Sequence, residues 1–216
     1  MKKIFLKASY IYLTLILLLS QNSLAKVEFK EPIKVYGQCE DEAVSATISP
    51  DAYSLSMLFD SNLLLEHMPG ITTNVKQMKK CYFTIPLKAS PNEKFEILGF
   101  DWRLFVGLPN SSKARFESKI WLTHNKILRN GRTKIITDAY SAKKKTMNGP
   151  LNSDLFMNQN FYEPKKVTEC GADYFITIQV TMELKNKNKV TNAIYSLDSL
   201  DIGQSLSDKI VKRPCS

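Results

Sequence analysis

The sequence predicts an all-β fold, a two-sheet antiparallel β-sandwich or jelly roll with two disulfides. Apolar and polar residues alternate over short runs, and turn-forming residues separate these runs. No convincing amphipathic helix exceeds about three turns. The nearest helical pattern, over residues 61–68, stops at Pro69-Gly70. The chain also has four cysteines, an even number that is typical of two bridges.

Residues 1–25 have the pattern of a signal peptide. Three lysines precede an apolar stretch from Ala8 to Leu19, which falls short of the about 20 residues that span a bilayer. Ser23-Leu24-Ala25 provides the small residues of a cleavage site. An uncleaved anchor is the alternative. We expect removal of residues 1–25, and residues 26–216 to form a single β-sandwich domain that is secreted or periplasmic, with no transmembrane segment.

The first strands form a hairpin in this prediction. Residues 44–48 alternate between apolar and polar, and residues 55–59 do so again. Pro50-Asp51-Ala52-Tyr53 supplies a turn between them, because proline fixes the φ angle that a turn requires.

Further strands are predicted downstream by the same alternation. One run surrounds Cys81, and Pro86 is expected to end that strand or to place it at a sheet edge. A change of face is expected near Gly99. Residues 174–184 form the longest run, and residues 185–189 are expected to join it to the run 193–197 as a hairpin loop. The middle of the chain is expected to form two edge strands, around 133–140 and 154–158, joined by a loop through Lys143-Lys144-Lys145.

The charge of the mature chain is basic. Removing the first 25 residues takes away three lysines, so the formal charge falls from +9 to +6 over 191 residues. Such a balance favours anionic glycans, phospholipid surfaces or nucleic acid as partners, although a solvated basic surface is the simpler interpretation. Aromatic residues are not interleaved with lysines along the chain, so no specific nucleic acid partner is predicted.

The four cysteines are interpreted as disulfides rather than metal ligands. Cys39, Cys81, Cys170 and Cys215 lack the short spacing of a zinc site, and both histidines are distant in sequence. We therefore predict no metal and no cofactor. Three connectivities are possible. Sequential pairing, Cys39–Cys81 with Cys170–Cys215, is favoured because it ties down the C-terminal tail, and each loop would contribute about 4 kcal/mol.

Several segments resemble a known family. They are Gly37-Gln38-Cys39, the Ser49-Pro50-Asp51 turn between two patterned strands, Lys80-Cys81, residues 99–103, and Glu169-Cys170-Gly171-Ala172. Together they resemble small secreted cysteine-bearing proteins of fungi and bacteria catalogued as domain of unknown function four-three-six-zero, over roughly residues 37–202. The resemblance implies secretion, cysteine bridges and a sandwich, and it carries no catalytic residues. The family's tryptophan before the third cysteine is absent here, and its place is vacant or taken by Phe161 or Tyr162.

Few residues suggest chemistry. His67 and His124 are candidate bases, but neither has a recognisable nucleophile nearby in sequence. Asp101 and Arg103 lie two apart on a predicted strand and are a candidate polar binding point, with a cross-strand ion pair as the alternative. Lys143, Lys144 and Lys145 are a candidate basic patch.

The apolar segment from Leu63 to Ile71 is interpreted as a cap on an open end of the sandwich. The alternatives are a membrane-touching loop or a docking loop through which the protein acts on a host or competitor.

These observations favour a secreted, non-enzymatic β-sandwich protein that binds glycan or cell-envelope surfaces. The alternative is a secreted hydrolase that uses His67 or His124 with a nearby carboxylate.

Overall fold

The computed structural model describes residues 28–29, 32–39, 44–48, 55–59, 63–71, 75–88, 91–97, 99–161, 170–188, 190–202 and 210–215. The predicted signal peptide, the Pro50–Tyr53 turn and Tyr162 lie outside these residues. Over the described part, no helix is both long and apolar enough to cross a membrane.

Fourteen strands form within the described residues. In chain order they are β1 (Glu28–Phe29), β2 (Lys34–Gly37), β3 (Val44–Ile48), β4 (Leu55–Phe59), β5 (Leu64–His67), β6 (Lys76–Lys88), β7 (Glu93–Ile97), β8 (Gly99–Leu108), β9 (Ser112–Ile127), β10 (Thr133–Asn148), β11 (Leu151–Asn160), β12 (Asp173–Asn186), β13 (Ala193–Ile202) and β14 (Ile210–Pro214).

Two large antiparallel sheets face each other, as the sequence predicts. Sheet A has the order β1-β6-β12-β9-β10, and β2 also pairs with β6. Sheet B has the order β11-β8-β13-β4-β3, and β5 also pairs with β13. A smaller sheet joins β7 to β14. The prediction of an antiparallel β-sandwich is therefore confirmed.

The predicted β3–β4 hairpin is confirmed, with Ile48 opposite Leu55. The predicted change near Gly99 takes a larger form than a bulge, because β7 belongs to the small sheet while β8 belongs to sheet B. Residues 64–67, within the weak helical pattern, are strand β5.

Three local predictions are wrong. The segment 185–189 is not a hairpin loop, because it carries the chain from β12 in sheet A to β13 in sheet B. Asn186 and Asn188 bond the backbone of this connection, with Asn186 Nδ2 donating to the Thr191 carbonyl at 3.0 Å and Asn188 Oδ1 accepting from the Val190 amide at 2.9 Å. These side-chain bonds replace the ladder of a hairpin.

The segment Lys143–Lys145 is not a loop either, because β10 continues through it to Asn148. The strand lies at the edge of sheet A, where lysine side chains reach water easily. Strand β6 continues past Pro86 to Lys88. Position 86 lies between the stretch of β6 paired with β2 and the stretch paired with β1, so its missing N–H is tolerated.

The core lies between the two sheets. Alternate residues of β6, β9 and β12 point inward from sheet A, and alternate residues of β8, β4 and β13 point inward from sheet B. Trp102 and Phe116 meet across the interface edge to face, with ring centroids 5.2 Å apart. Leu63 and Leu65 are buried at 1% and 3% exposure, and Leu65 belongs to β5, which pairs with β13 in sheet B, whereas Ile71 is exposed.

One buried polar network also links the sheets. Gln159 of β11 accepts hydrogen bonds at Oε1 from Trp102 Nε1 (2.9 Å) and from the Ser118 hydroxyl, and its Nε2 donates to Ser141 Oγ at 3.3 Å. Because Ser118 and Ser141 belong to sheet A, the network holds the sheets in one relative position.

The disulfides join Cys39 to Cys81 and Cys170 to Cys215, which is the sequential pairing. The first attaches the end of β2 to β6 in sheet A. The second attaches the residues after β14 to the turn that precedes β12. Disulfides of this kind are typical of oxidising compartments.

Candidate binding face

On the outward side of sheet A, four aromatic residues form two contacting pairs, which we call the aromatic face: Tyr36, Tyr82, Trp121 and Tyr140. Each occupies the outward position of a strand whose neighbouring residues point into the core. Tyr36 and Tyr140 are each 47% exposed, and Tyr82 and Trp121 are half-buried. The face is therefore open to a ligand.

The first aromatic pair is set by strand register. Tyr36 on β2 lies opposite Tyr82 on β6, and their rings stack with centroids 5.0 Å apart and planes 1° apart. Gly37 permits this approach because it adopts φ +103, and a Cβ there would lie 2.7 Å from the Lys80 carbonyl oxygen. Lys80 Nζ lies 5.2 Å from the Tyr82 ring centroid, within range of a cation–π contact.

The second pair lies across β12 from the first. Trp121 on β9 is opposite Tyr140 on β10, with ring centroids 5.6 Å apart. The hairpin that joins β9 and β10 has a bulge between Thr137 and Ala139, on the turn side of this pair. A bulge of this kind sets which β10 residues face outward beyond it.

Polar side chains fill the space between the two pairs. Gln179 on β12 lies opposite Tyr82 on one side and Lys119 on the other. Thr177, the next outward residue, lies between Thr84 and Trp121. Amide and hydroxyl groups of this kind donate and accept hydrogen bonds, so the face combines flat apolar rings with groups that bind hydroxyls.

An ion-pair cluster borders this region. Glu117 accepts from Arg115 Nη2 at 2.5 Å, and Lys119 Nζ lies 3.3 Å from its other oxygen. The hydrogen bond from Arg115 is the main cause that holds the pKa of Glu117 below its usual value, and Lys119 acts in the same direction against partial burial. Glu117 is therefore ionised at neutral pH.

Asp101 and Arg103 lie elsewhere, on the outward side of sheet B. Asp101 Oδ1 accepts from Asn158 Nδ2 at 2.9 Å, and the Arg103 guanidinium lies 5.4 Å from the Phe156 ring centroid. Trp102 between them is buried, as their spacing predicts. Both predicted side chains contact neighbours on β11, and their role in binding stays a prediction.

Lys143, Lys144 and Lys145 do not share one side of their strand. Lys144 lies opposite Glu117 on the outward side of sheet A, whereas Lys143 and Lys145 lie opposite Ser118 and Phe116, whose side chains point inward. Only Lys144 thus adjoins the aromatic face.

The two histidines are buried. His124 Nδ1 lies 2.5 Å from Asp138 Oδ2, an arrangement that can orient a general base. Its Nε2, however, is enclosed and has no hydrogen-bond partner among the described residues, so a substrate has no open route to it. His67 lies on β5 opposite Ala193 and is 6% exposed. The described residues contain no group of three His, Cys, Asp or Glu side chains placed to hold a metal ion.

A cleft of about 470 Å³ opens at one end of sheet B. Phe105, Gly107, Pro109 and Ile194 form its mainly apolar lining, with Asn152 and Thr191 also lining it. Asn192 lines it as well, and no lysine is among its lining residues.

The aromatic face could not be predicted from the order of residues along the chain. Its four members are separated by 46, 39 and 19 positions and share one surface only when β2, β6, β12, β9 and β10 pair in register. The signal that could have indicated it is that Tyr82 and Trp121 occupy polar-side positions of otherwise well-patterned strands.

Fold and geometry together define a disulfide-linked antiparallel β-sandwich with an exposed aromatic sheet face. The chain belongs to the family described as a domain of unknown function, DUF4360, which matches residues 32–215. The resemblance found in the sequence is thereby confirmed. No curated protein matches the chain.

Solved structures show only distant similarity. A chain of infectious bursal disease virus, Gx strain, is 11% identical, with 86% of this chain and 37% of that chain covered and a TM-score of 0.28. The C-terminal family 22 carbohydrate-binding module of Clostridium thermocellum Xyn10B is 10% identical, with 87% and 92% covered and a TM-score of 0.21. A family 11 carbohydrate-binding module from Clostridium thermocellum, in complex with a β-1,3-1,4-mixed-linked tetrasaccharide, is 10% identical, with 84% and 91% covered and a TM-score of 0.20. TM-scores this low carry no argument about the ligand of this chain.

Proposed function

We propose that the protein is a secreted, non-enzymatic binding protein that holds an anionic glycan on its aromatic face. The observation that supports this is the pair of exposed aromatic couples, Tyr36–Tyr82 and Trp121–Tyr140, with hydrogen-bonding side chains between them. Sugar rings have C–H surfaces that pack on aromatic rings and hydroxyls that need polar partners. A face with both kinds of group suits a sugar chain better than a purely apolar ligand.

The spacing favours an extended oligosaccharide over a single sugar. Across β12, Tyr82 and Trp121 are separated by two strand spacings, about 10 Å. Along the strands they are offset by two residues, about 7 Å. One monosaccharide ring cannot contact both. A chain of a few linked rings can lie across β12 and contact Gln179 and Thr177 on its way.

The charge of the face favours an anionic sugar chain. Lys34, Lys80, Lys119 and Lys144 occupy outward positions of sheet A, while the carboxylates beside them are already paired. Glu117 is paired with Arg115 and Lys119, and Glu183 lies 3.3 Å from Lys76. Carboxylate, sulfate or phosphate groups of a glycan would therefore lie near lysine side chains at both aromatic pairs, although Lys119 is shared with Glu117.

The experiment compares two aromatic residues that point outward on opposite sides of the sandwich, the half-buried Trp121 and the exposed Phe156. Trp121→Ala removes a ring from the aromatic face, and Phe156→Ala removes a more exposed ring (74%) from sheet B. Native affinity electrophoresis and titration calorimetry across acidic and neutral polysaccharides should show binding by the natural protein. Trp121→Ala should weaken it about 30-fold, as for a well-packed aromatic anchor, and Phe156→Ala should leave it unchanged.

Circular dichroism would establish that both variants are folded. Equal losses in the two variants would contradict the proposal. So would retention only by single-stranded nucleic acid, which stacks on aromatic side chains in the same way.

A further inference from the structure

The hairpin between β9 and β10 extends beyond the rest of sheet A. The pairing of β12 with β9 ends at Tyr174 opposite His124, whereas β9 and β10 continue to pair up to Ile127 opposite Thr133. Residues 125–135, which we call the hairpin arm, are all exposed. Within the described structure, these residues form a two-stranded ribbon that leaves the sandwich.

The turn of the arm has its own hydrogen bonds. The Leu128 amide donates to the Arg132 carbonyl at 2.8 Å, and the Gly131 amide donates to the Leu128 carbonyl at 2.9 Å. Gly131 has φ 76, a conformation that side chains disfavour, and the Arg132 amide donates to Asn130 Oδ1 at 3.1 Å. The turn is therefore a defined structure that presents its neighbours in a fixed arrangement.

The arm separates charge from apolar surface. Lys126 and Lys134 are opposite each other and share one side of the ribbon, while Ile127 and Ile135 lie on the other side. The two isoleucines are 76% and 69% exposed. Arg129 and Arg132 lie at the turn, and residues 125–135 include no Asp or Glu. Four cations thus flank an exposed β-branched pair.

We infer that the hairpin arm docks the protein on an anionic lipid bilayer. Lipid phosphates pair with the lysines and arginines, and the isoleucines enter the boundary between headgroups and acyl chains. An anionic polymer would pair with the four cations but would leave the isoleucines exposed to water. The exposed apolar pair is therefore the observation that favours lipid over glycan or nucleic acid for this segment.

The arm is separate from the aromatic face. Ile127 is six residues from Trp121 on the same strand, about 20 Å, and Ile135, opposite Asn125, is four strand positions away, about 13 Å. Docking by the arm does not depend on the proposed glycan function, and the two properties can fail independently.

The test is flotation with lipid vesicles, using the natively produced protein with its N-terminus defined by mass spectrometry. Phosphatidylcholine vesicles with phosphatidylglycerol should carry the protein upward, and pure phosphatidylcholine vesicles should not. Ile127→Ser with Ile135→Ser should lower the partition coefficient at least tenfold, through loss of apolar insertion. Lys126→Gln with Lys134→Gln should lower it about 25-fold, at about fivefold for each charge.

The matched control replaces two other exposed apolar residues, Ile71→Ser with Val190→Ser, which are 78% and 87% exposed. This control should float like the natural protein, with circular dichroism confirming the fold of every variant. Absence of flotation on anionic vesicles at low salt would overturn the inference, and so would equal flotation of the isoleucine variant. If Trp121→Ala loses glycan binding but still floats with the vesicles, both proposals are supported. If the natural protein floats but binds no glycan, only the glycan proposal is overturned.

Discussion

The two outward sides of the sandwich differ although the same alternation builds both. On sheet A the outward positions of long strands hold two aromatic pairs, lysines and amide groups. On sheet B they hold Asp101 bonded to Asn158, Arg103 over Phe156, and Ser196 donating to Asp198 at 2.8 Å. Polar groups on sheet B satisfy one another in close pairs. Those on sheet A, including the Glu117 ion pairs, lie beside aromatic rings.

Strand length contributes to this difference. The central strands β6, β9 and β12 have 13, 16 and 14 residues, whereas β8, β11 and β13 have 10 each. Longer strands provide more outward positions in register, so rings from distant parts of the chain can share one surface. The difference between the sheets indicates that a binding face requires both suitable residues and strands long enough to align them.

The largest expected effect comes from the disulfide beneath the aromatic face. Replacing Cys39 and Cys81 with alanine should lower the free energy of unfolding by about 2–5 kcal/mol, because the bridge closes a loop of 42 residues. Denaturant unfolding measures this. Glycan affinity should also fall, since the bridge holds β2 and hence Tyr36 in place, whereas a fully retained affinity would show that Tyr36 contributes nothing.

A smaller effect on stability is expected from a substitution in the core beneath sheet B, which should leave the aromatic face of sheet A unaffected. Tyr195 is buried on β13, its hydroxyl has no hydrogen-bond partner among the described residues, and burial raises its pKa well above the usual value. Tyr195→Phe should raise the free energy of unfolding by about 1 kcal/mol, because a desolvated hydroxyl is removed.

The raised pKa of Tyr195 also predicts how stability changes at alkaline pH. Below the unfolded pKa of about 10 the hydroxyl is protonated in both states; above it, stability falls with rising pH because the unfolded tyrosine ionises while the pKa of the folded one is raised. The phenylalanine variant should lose that part of the alkaline decline. Glycan affinity should stay unchanged, and a lower stability at neutral pH would contradict the prediction.

The smallest expected effect concerns the charge of the aromatic face. Glu117→Gln should lower stability by less than about 1 kcal/mol, since exposed ion pairs contribute little. It should also raise affinity for an acidic glycan, because Arg115 and Lys119 lose their carboxylate. With the folded-state pKa of Glu117 lowered, its contribution is present above the usual 4.5 and lost as pH falls below it.

Thermal unfolding from neutral to acidic pH would measure this loss, with Glu183→Gln as a control for the carboxylate paired with Lys76. The natural protein and the Glu117→Gln variant should converge in stability at low pH. A constant difference between them at all pH values would contradict the lowered pKa.

Much of the fold could be predicted, and the candidate face could not. Alternation around Cys81, Ile120 and Ile178 correctly indicated which side chains are buried, because burying every second residue is a local property of a strand. The same alternation failed at residues 185–189 and 143–145. A local pattern does not distinguish a hairpin turn from a crossover between sheets, and charged side chains at an edge strand resemble those of a loop.

The amino-acid sequence by itself determined that this protein is built from strands with one buried side, because the hydrophobic effect acts on each alternating run independently of its partners. Only the tertiary structure decided which strands pair, since pairing depends on closing long loops and on a register that shows no local signature. That register places Tyr36 against Tyr82 and Trp121 against Tyr140, and so creates a surface that no single segment contains.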